Sequence, residues 1–197
     1  PLVVALGMFT LLTTWKRGRR ILARHMEERV LPIEDFVASV AEEPPTRVSG
    51  TAVYMDSNLE GTPHALLHNV EHNKVLHERI VMLTVLTTDS PRVEPEERAR
   101  VDDFGENVFR VALRFGFSED PDVPAALESC SVGGEPFRPM ETTYFLGRER
   151  LIATEKQGMA IWREKLFIFM SRTAATPMAF FRLPTGRVVE LGVQIEI

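Results

Sequence analysis

Residues 51–87, TAVYMDSNLEGTPHALLHNVEHNKVLHERIVMLTVLT, decide the fold. Thr51 to Met55 is a short run rich in residues that favour extended backbone. Thr62 stands where a helix cap belongs, Pro63 suits the first helical position, and the helix is expected to reach about His77. Ile80 to Thr87 is apolar and rich in β-branched residues, the pattern of a buried strand. Strand, helix and strand at this spacing predict a right-handed βαβ unit with parallel strands.

Downstream, Asp89 to Glu106 is charged and proline-bearing, and reads as a long excursion over the surface. Phe109, Val111, Leu113, Phe115 and Phe117 alternate with Arg110, Ala112 and Arg114, and Val189 to Ile197 alternates in the same way, so both segments read as half-buried strands. Thr142 to Leu146 is a further strand, and Val123 to Cys130 a short helix capped by Asp122. Gly158 to Thr173 is a longer helix whose apolar residues nearly encircle it, as expected of a helix packed between elements or against a partner. Upstream, Pro32 to Val40 reads as a short helix started by Pro32 and favoured by Glu34 and Asp35 near its positive end. Glu42, Glu43, Pro44 and Pro45 mark a linker, and the globular domain is expected from about Val48.

The chain of 197 residues carries a net charge of −5, which argues against a general nucleic-acid binder, since that role needs a basic surface. Cys130 stands alone and cannot form an internal disulfide. The charge distribution is more telling than its sum. Pro1 to Thr14 bears no formal charge and is strongly apolar; Trp15 follows, then Lys16, Arg17, Arg19, Arg20 and Arg24. A secretory signal has its charges before the apolar run, not after it. Such a run is too short to cross a bilayer, which takes about 20 helical residues. Because the first residue is Pro, the expectation is that Pro1 to Thr14 is the exit half of a transmembrane helix. Trp15, Lys16, Arg17 and Arg19 would then be its membrane-interface anchors, holding that end in the cytoplasm. The other reading is a buried helix of a soluble protein followed by a basic patch. Helical character is expected to continue to about Val30.

His64, His68 and His72 recur every fourth residue and share one stripe of an ideal helix, drifting by about 40° per step. On a regular helix His77 would project about 180° from His68. Helical histidines at this spacing suit zinc, but the metalloprotease signature needs a Glu after its first His and none is present. A polar face is the better reading, and no metal or cofactor is expected. Asn69 and Asn73 on the same helix orient a polar ligand, cap a neighbouring turn or face water. The loop Asp56 to Gly61 precedes the helix N-terminus, where anions settle in open α/β sheets, yet it carries neither the P-loop nor the GxGxxG pattern. Arg110, Arg148, Arg150 and Arg172 either bind an anion in concert or form surface ion pairs. The candidate ligand-binding residues are therefore His68, Asn69, His72, Asn73 and Arg148. No nucleophile with a neighbouring base is visible, no catalytic residue is named, and an enzyme is not expected.

Several stretches taken together resemble the Kup/HAK/KT family of potassium-uptake permeases. Thr13-Thr14-Trp15-Lys16-Arg17-Gly18-Arg19 is similar to the end of that family's last membrane helix, and Thr51 to Met55 to its first cytoplasmic strand. His68-Asn69-Val70-Glu71-His72-Asn73-Lys74-Val75-Leu76-His77-Glu78 resembles its HN-x-x-HNKVLHE helix. Phe115-Gly116-Phe117, Asp122-Val123-Pro124, Tyr144 to Arg148, Gly158-Met159 with Trp162-Arg163, Phe180 to Pro184 and Arg187 to Gly192 follow in family order. The departures are Val70-Glu71 for Leu-Lys, Asp122 for Asn and Thr173 for Asn.

The resemblance implies the C-terminal part of a multi-pass transporter of the bacterial plasma membrane, carrying potassium with protons through membrane helices. Potassium is then a transported substrate and not a cofactor. It divides the chain into the end of the last transmembrane helix (1–15), a basic juxtamembrane helix and linker (16–47), and a cytoplasmic C-terminal domain (48–197). The expected fold class is α/β, a mixed, partly parallel β-sheet flanked by helices. The implied partners are the lipid bilayer, a second copy in a homodimer, and a cyclic dinucleotide or other nucleotide sensed by the domain. A purely structural tail, needed only for folding and insertion, is the alternative role; a stand-alone hydrolase is a third.

Overall fold

The computed structural model describes residues 1–27, 31–59, 61–152, 158–173 and 176–196. In chain order the elements are α1 (Leu2–Glu27), α2 (Ile33–Glu42), β1 (Thr46–Met55), α3 (His64–Asn73), β2 (Val75–Thr88), β3 (Ala99–Asp103), β4 (Val108–Gly116), α4 (Val123–Glu128), β5 (Ser131–Val132), β6 (Glu135–Pro136), β7 (Thr142–Ile152), α5 (Ile161–Thr173), α6 (Pro177–Phe180) and β8 (Val188–Glu196). Val30, Ile197 and the side chains of Arg150, Val193 and Ile195, all invoked by the sequence reading, lie outside the described residues.

Six strands form one sheet in the order β3-β4-β2-β1-β7-β8. β1 runs parallel to both β2 and β7, and β2 parallel to β4, so the central part of the sheet is parallel. The βαβ unit expected from residues 51–87 is present, with Val53 opposite Val81 and Tyr54 opposite Met82. β3 pairs antiparallel with β4 and makes the sheet mixed. The fold is α/β.

Two compact units divide the chain. One comprises Leu31–Gly147 and Thr176–Leu191, the other Pro1–Val30, Arg148–Ala175 and Gly192–Ile197. In the first, alternation sends neighbouring side chains of each central strand to opposite faces. Val81 and Leu83 of β2, Phe109, Val111, Leu113 and Phe115 of β4 and Tyr144 of β7 build one core, closed by Val123, Ala126 and Leu127 of α4. Ile80 and Met82 of β2, Ala52 and Tyr54 of β1 and Phe145 of β7 build the other, covered by α2 and α3. Both faces of the strands are thus buried, as a parallel sheet requires. In the second unit Leu22, Leu151 and Phe167 form a small core between α1, α5 and the end of β7.

The structure departs from the sequence reading in four places. α3 stops at Asn73, because Lys74 takes the left-handed conformation (φ 57°) and its N–H closes on the Val70 carbonyl, so His77 lies in β2 and not on the helix. The charged stretch after Asp89 contains β3, an edge strand left largely exposed. β4 is buried along nearly its whole length, with Phe117 beyond its end and exposed. The helix at 33–42, read as part of the segment ahead of the domain, buries Ile33, Phe36 and Val40 in the sheet's second core.

Candidate functional site

α3 brings four of the five sequence candidates together. The His68 and His72 rings meet with centroids 4.2 Å apart, inclined by 57°. Asn69 is buried, and its side chain is fully engaged: Nδ2 donates to the Val75 carbonyl at 2.9 Å and Oδ1 accepts from Asn73 Nδ2 at 2.9 Å. This pair reaches across the end of the helix to the first residue of β2. It fixes the reversal that Lys74 makes, giving the Val75 carbonyl at the start of β2 a donor from the helix. Of the three roles the sequence allowed, the geometry puts both side chains on this turn, with Asn69 buried and Asn73 exposed to water as well. Among the described residues no group of three or more His, Cys, Asp or Glu is arranged to hold a metal.

Arg148 is not part of this arrangement; it sits at an exposed position of β7 in the unit that contains α1 and α5. Arg110 belongs to the sheet unit, with its guanidinium carbon 5.1 Å from the Phe104 ring centroid, and Arg172 to the other unit. The loop before α3 is held by local hydrogen bonds. Asp56 Oδ1 accepts the Asn58 N–H at 3.0 Å, the Thr62 N–H donates to the Leu31 carbonyl at 2.9 Å, and Gly61, Thr62 and Pro63 are buried. Thr62 does not cap the helix, which is preceded by Pro63. Asp122 does cap α4, accepting the Ala125 N–H at 3.0 Å. Cys130 packs against the larger core with its thiol donating to the Ala126 carbonyl, and burial pushes its pKa up.

Two clamps escaped the sequence reading. Arg79 Nε donates to Thr51 Oγ1 at 2.8 Å, and its guanidinium also donates to the carbonyls of Val132, Glu135 and Pro136 while lying over the Phe137 ring. It fastens the β5–β6 hairpin to the sheet. Glu119 accepts the Gly116 N–H at 2.6 Å and the Val93 N–H at 3.2 Å and pairs with Arg98 at 2.6 Å. The Gly116 hydrogen bond first, and then Arg98, hold its carboxyl below the usual carboxylate range. His77 keeps a buried Nδ1 without a hydrogen-bond partner, and burial lowers its pKa.

The predicted interface anchors lie on α1. Leu2, Val3, Val4, Leu6, Met8, Phe9, Leu11 and Leu12 are all exposed, from 39% to 86%, so the first turns of the helix are apolar and uncovered on every side. Trp15 packs its ring 5.5 Å from Phe167 and stays 37% exposed, and Lys16, Arg17 and Arg19 are exposed. Arg163 of α5 donates to Thr14 Oγ1 at 3.0 Å and Thr13 Oγ1 at 3.3 Å, which ties the two helices where the apolar run ends. No described helix is long and apolar enough to cross a membrane.

Residues 49–197 match the model of the K+ potassium transporter C-terminal domain. The chain belongs to that family. Over all 197 residues it is 55% identical to the probable potassium transport system protein Kup 1 of Novosphingobium aromaticivorans, covering 30% of that protein. Kup proteins of Pseudomonas fluorescens, 49% identical over 31% of the protein, and Myxococcus xanthus, 50% over 30%, are similar over the same full chain. The chain thus spans about three-tenths of the length of the curated relatives it matches. No solved structure matches it. The relatives carry the name of potassium transporters and not of enzymes. In this family the matched domain begins inside β1, after the helices that precede it in the chain.

Proposed function

We propose that this chain is the membrane-proximal and cytoplasmic part of a potassium-uptake permease of a bacterial plasma membrane, the complete protein moving potassium together with protons. The observation that carries the reading is the helix α1, apolar and exposed over its first turns and basic after Trp15, in a chain alike throughout to Kup proteins. A helix that is apolar on every side belongs in a nonpolar surrounding, and positive charge beyond an aromatic marks the cytoplasmic end. Its apolar turns, at 1.5 Å per residue, cover about 20 Å of a hydrocarbon core of about 30 Å, so this segment supplies the inner part of a crossing. Ion and proton sites need oxygen ligands and carboxylates at membrane depth, and Pro1 to Thr14 has no carboxylate, so no residue of this chain is assigned to them.

The α/β domain is assigned to assembly and regulation. Trp162 and Phe169, 58% and 65% exposed, lie on one side of α5 and offer an apolar surface to a second copy. Nucleotide sensing is the weaker half of the assignment, because Asn69 and Asn73 are spent on fixing the end of α3. Rubidium uptake in potassium-uptake-deficient cells tests the whole, comparing the complete gene with one truncated after Arg24. The proposal expects uptake from the complete gene and a fall in uptake per molecule at the membrane on truncation. Unchanged uptake per molecule with lower abundance would leave only the structural-tail role.

A further inference from the structure

The basic residues of α1 do more than mark an orientation. Lys16, Arg17, Arg20 and Arg24, with Thr13, Ile21 and Gly158, line a concavity of about 480 Å³. At about 100° per residue the α1 side chains among them fall within an arc about 140° wide; Thr13 and Ile21 border the side of α1 that faces α5, and Lys16, Arg20 and Arg24 lie further round the helix. Among the described residues no carboxylate pairs with any of the four cations. Like charges three and four residues apart on a helix oppose one another, so an anion in the concavity stabilises the arrangement. The same arc, followed one turn and more toward the start of the helix, carries Phe9, Leu6 and Leu2, exposed by 67%, 68% and 86%. The helix is therefore apolar on every side along its first half, and this face is cationic along its second. A ligand built in the same way, with apolar chains joined to an anionic head, matches both halves.

We propose that this face binds a single anionic phospholipid, its phosphate-bearing headgroup among Lys16, Arg17, Arg20 and Arg24 and its acyl chains along Leu2, Leu6 and Phe9. The inference rests on the membrane reading above and deepens it, replacing a diffuse attraction to lipid with a defined site. Arg19 projects roughly 115° from the mean direction of the four cations and lies outside that site.

The test uses the complete gene product, purified from membranes in mild detergent and analysed by native mass spectrometry. Phosphatidylglycerol, phosphatidylcholine with the same chains, and glycerol 3-phosphate are added in turn. The proposal expects retention of phosphatidylglycerol over phosphatidylcholine. It expects that preference to fall roughly 25-fold in the Arg20→Gln/Arg24→Gln double variant, from about fivefold for each basic residue lost. Arg19→Gln should keep it, and both variants should melt as the parent does. Equal retention of the two lipids, or an equal loss in Arg19→Gln, would overturn the site while leaving the membrane reading intact. Glycerol 3-phosphate binding as tightly as the lipid would show a site for free anions and overturn the lipid assignment. Recovery of the protein from the soluble fraction would overturn the membrane reading itself.

Discussion

The two compact units handle their apolar side chains in opposite ways. In the sheet unit, Val53, Ile80, Val111 and Leu113 are fully buried, and both faces of the central strands are covered by helices. In the unit built on α1 and α5, Leu2, Val3, Leu6 and Phe9 are exposed by two-thirds or more, as are Trp162 and Phe169 by more than half. That unit also buries Glu164, and among the described residues neither of its carboxylate oxygens has a hydrogen-bond partner. A unit whose apolar groups are inside is stable in water by itself; one whose apolar groups are outside takes its stability from its surroundings. The first architecture suits an aqueous surrounding, and the second suits a nonpolar surrounding or contact with other chain.

The comparison breaks most visibly if one leucine is removed from each unit. Leu113→Ala in β4 should cost about 2–5 kcal/mol, read as a lower urea midpoint at unchanged slope, through lost burial and the cavity left behind. Leu6→Ala should shift that midpoint by no more than about 0.5 kcal/mol, the usual range for exposed positions. A comparable loss from Leu6→Ala would mean that α1 is packed like a core element. Next in size is Arg79→Met, which removes the guanidinium from the Phe137 ring and every hydrogen bond to the hairpin; about 1.5–3 kcal/mol should be lost, with faster amide exchange at residues 131–136.

A smaller effect separates packing from ligand binding on α3. Asn69→Ala should lose about 1–2 kcal/mol by leaving the Val75 carbonyl without its donor, whereas His68→Ala should stay within about 0.5 kcal/mol. Uptake per molecule at the membrane should be unchanged in both. A selective loss of uptake in His68→Ala at normal abundance would restore the histidine pair as a functional site. The smallest effect concerns acid. Because Glu119 has a folded-state pKa below its ordinary value of 4.5, its contribution is fully present above that pH and is lost as the pH falls through the lower folded value. Glu119→Gln should flatten this acid limb of the stability profile, and an unaltered limb would show that the Gly116 and Arg98 contacts do not persist in solution.

The parallel core was legible because apolar, β-branched Ile80 to Thr87 leaves little choice of environment, and helix and strand around it have clear periods. The end of α3 was not, because neither glycine nor proline marks it; Lys74 turns the chain with Asn69 and Asn73 bracing it from the preceding helical turn. β3 hid in a charged run, which is how an exposed edge strand avoids pairing with other chains. The histidine stripe could be read from spacing alone. The Arg79 clamp could not, since Val132, Glu135 and Pro136 lie more than fifty residues away in sequence.

Whether the start of α1 lies in lipid is tested most directly by cysteine labelling of the complete gene product in intact and inverted membranes. In a cysteine-free background, Phe9→Cys and Arg24→Cys are each exposed to a water-soluble maleimide. The account predicts that Arg24→Cys labels in inverted membranes alone and that Phe9→Cys stays unlabelled on both sides until detergent is added. Rapid labelling of Phe9→Cys before detergent, at a rate like that of Arg24→Cys, would contradict it.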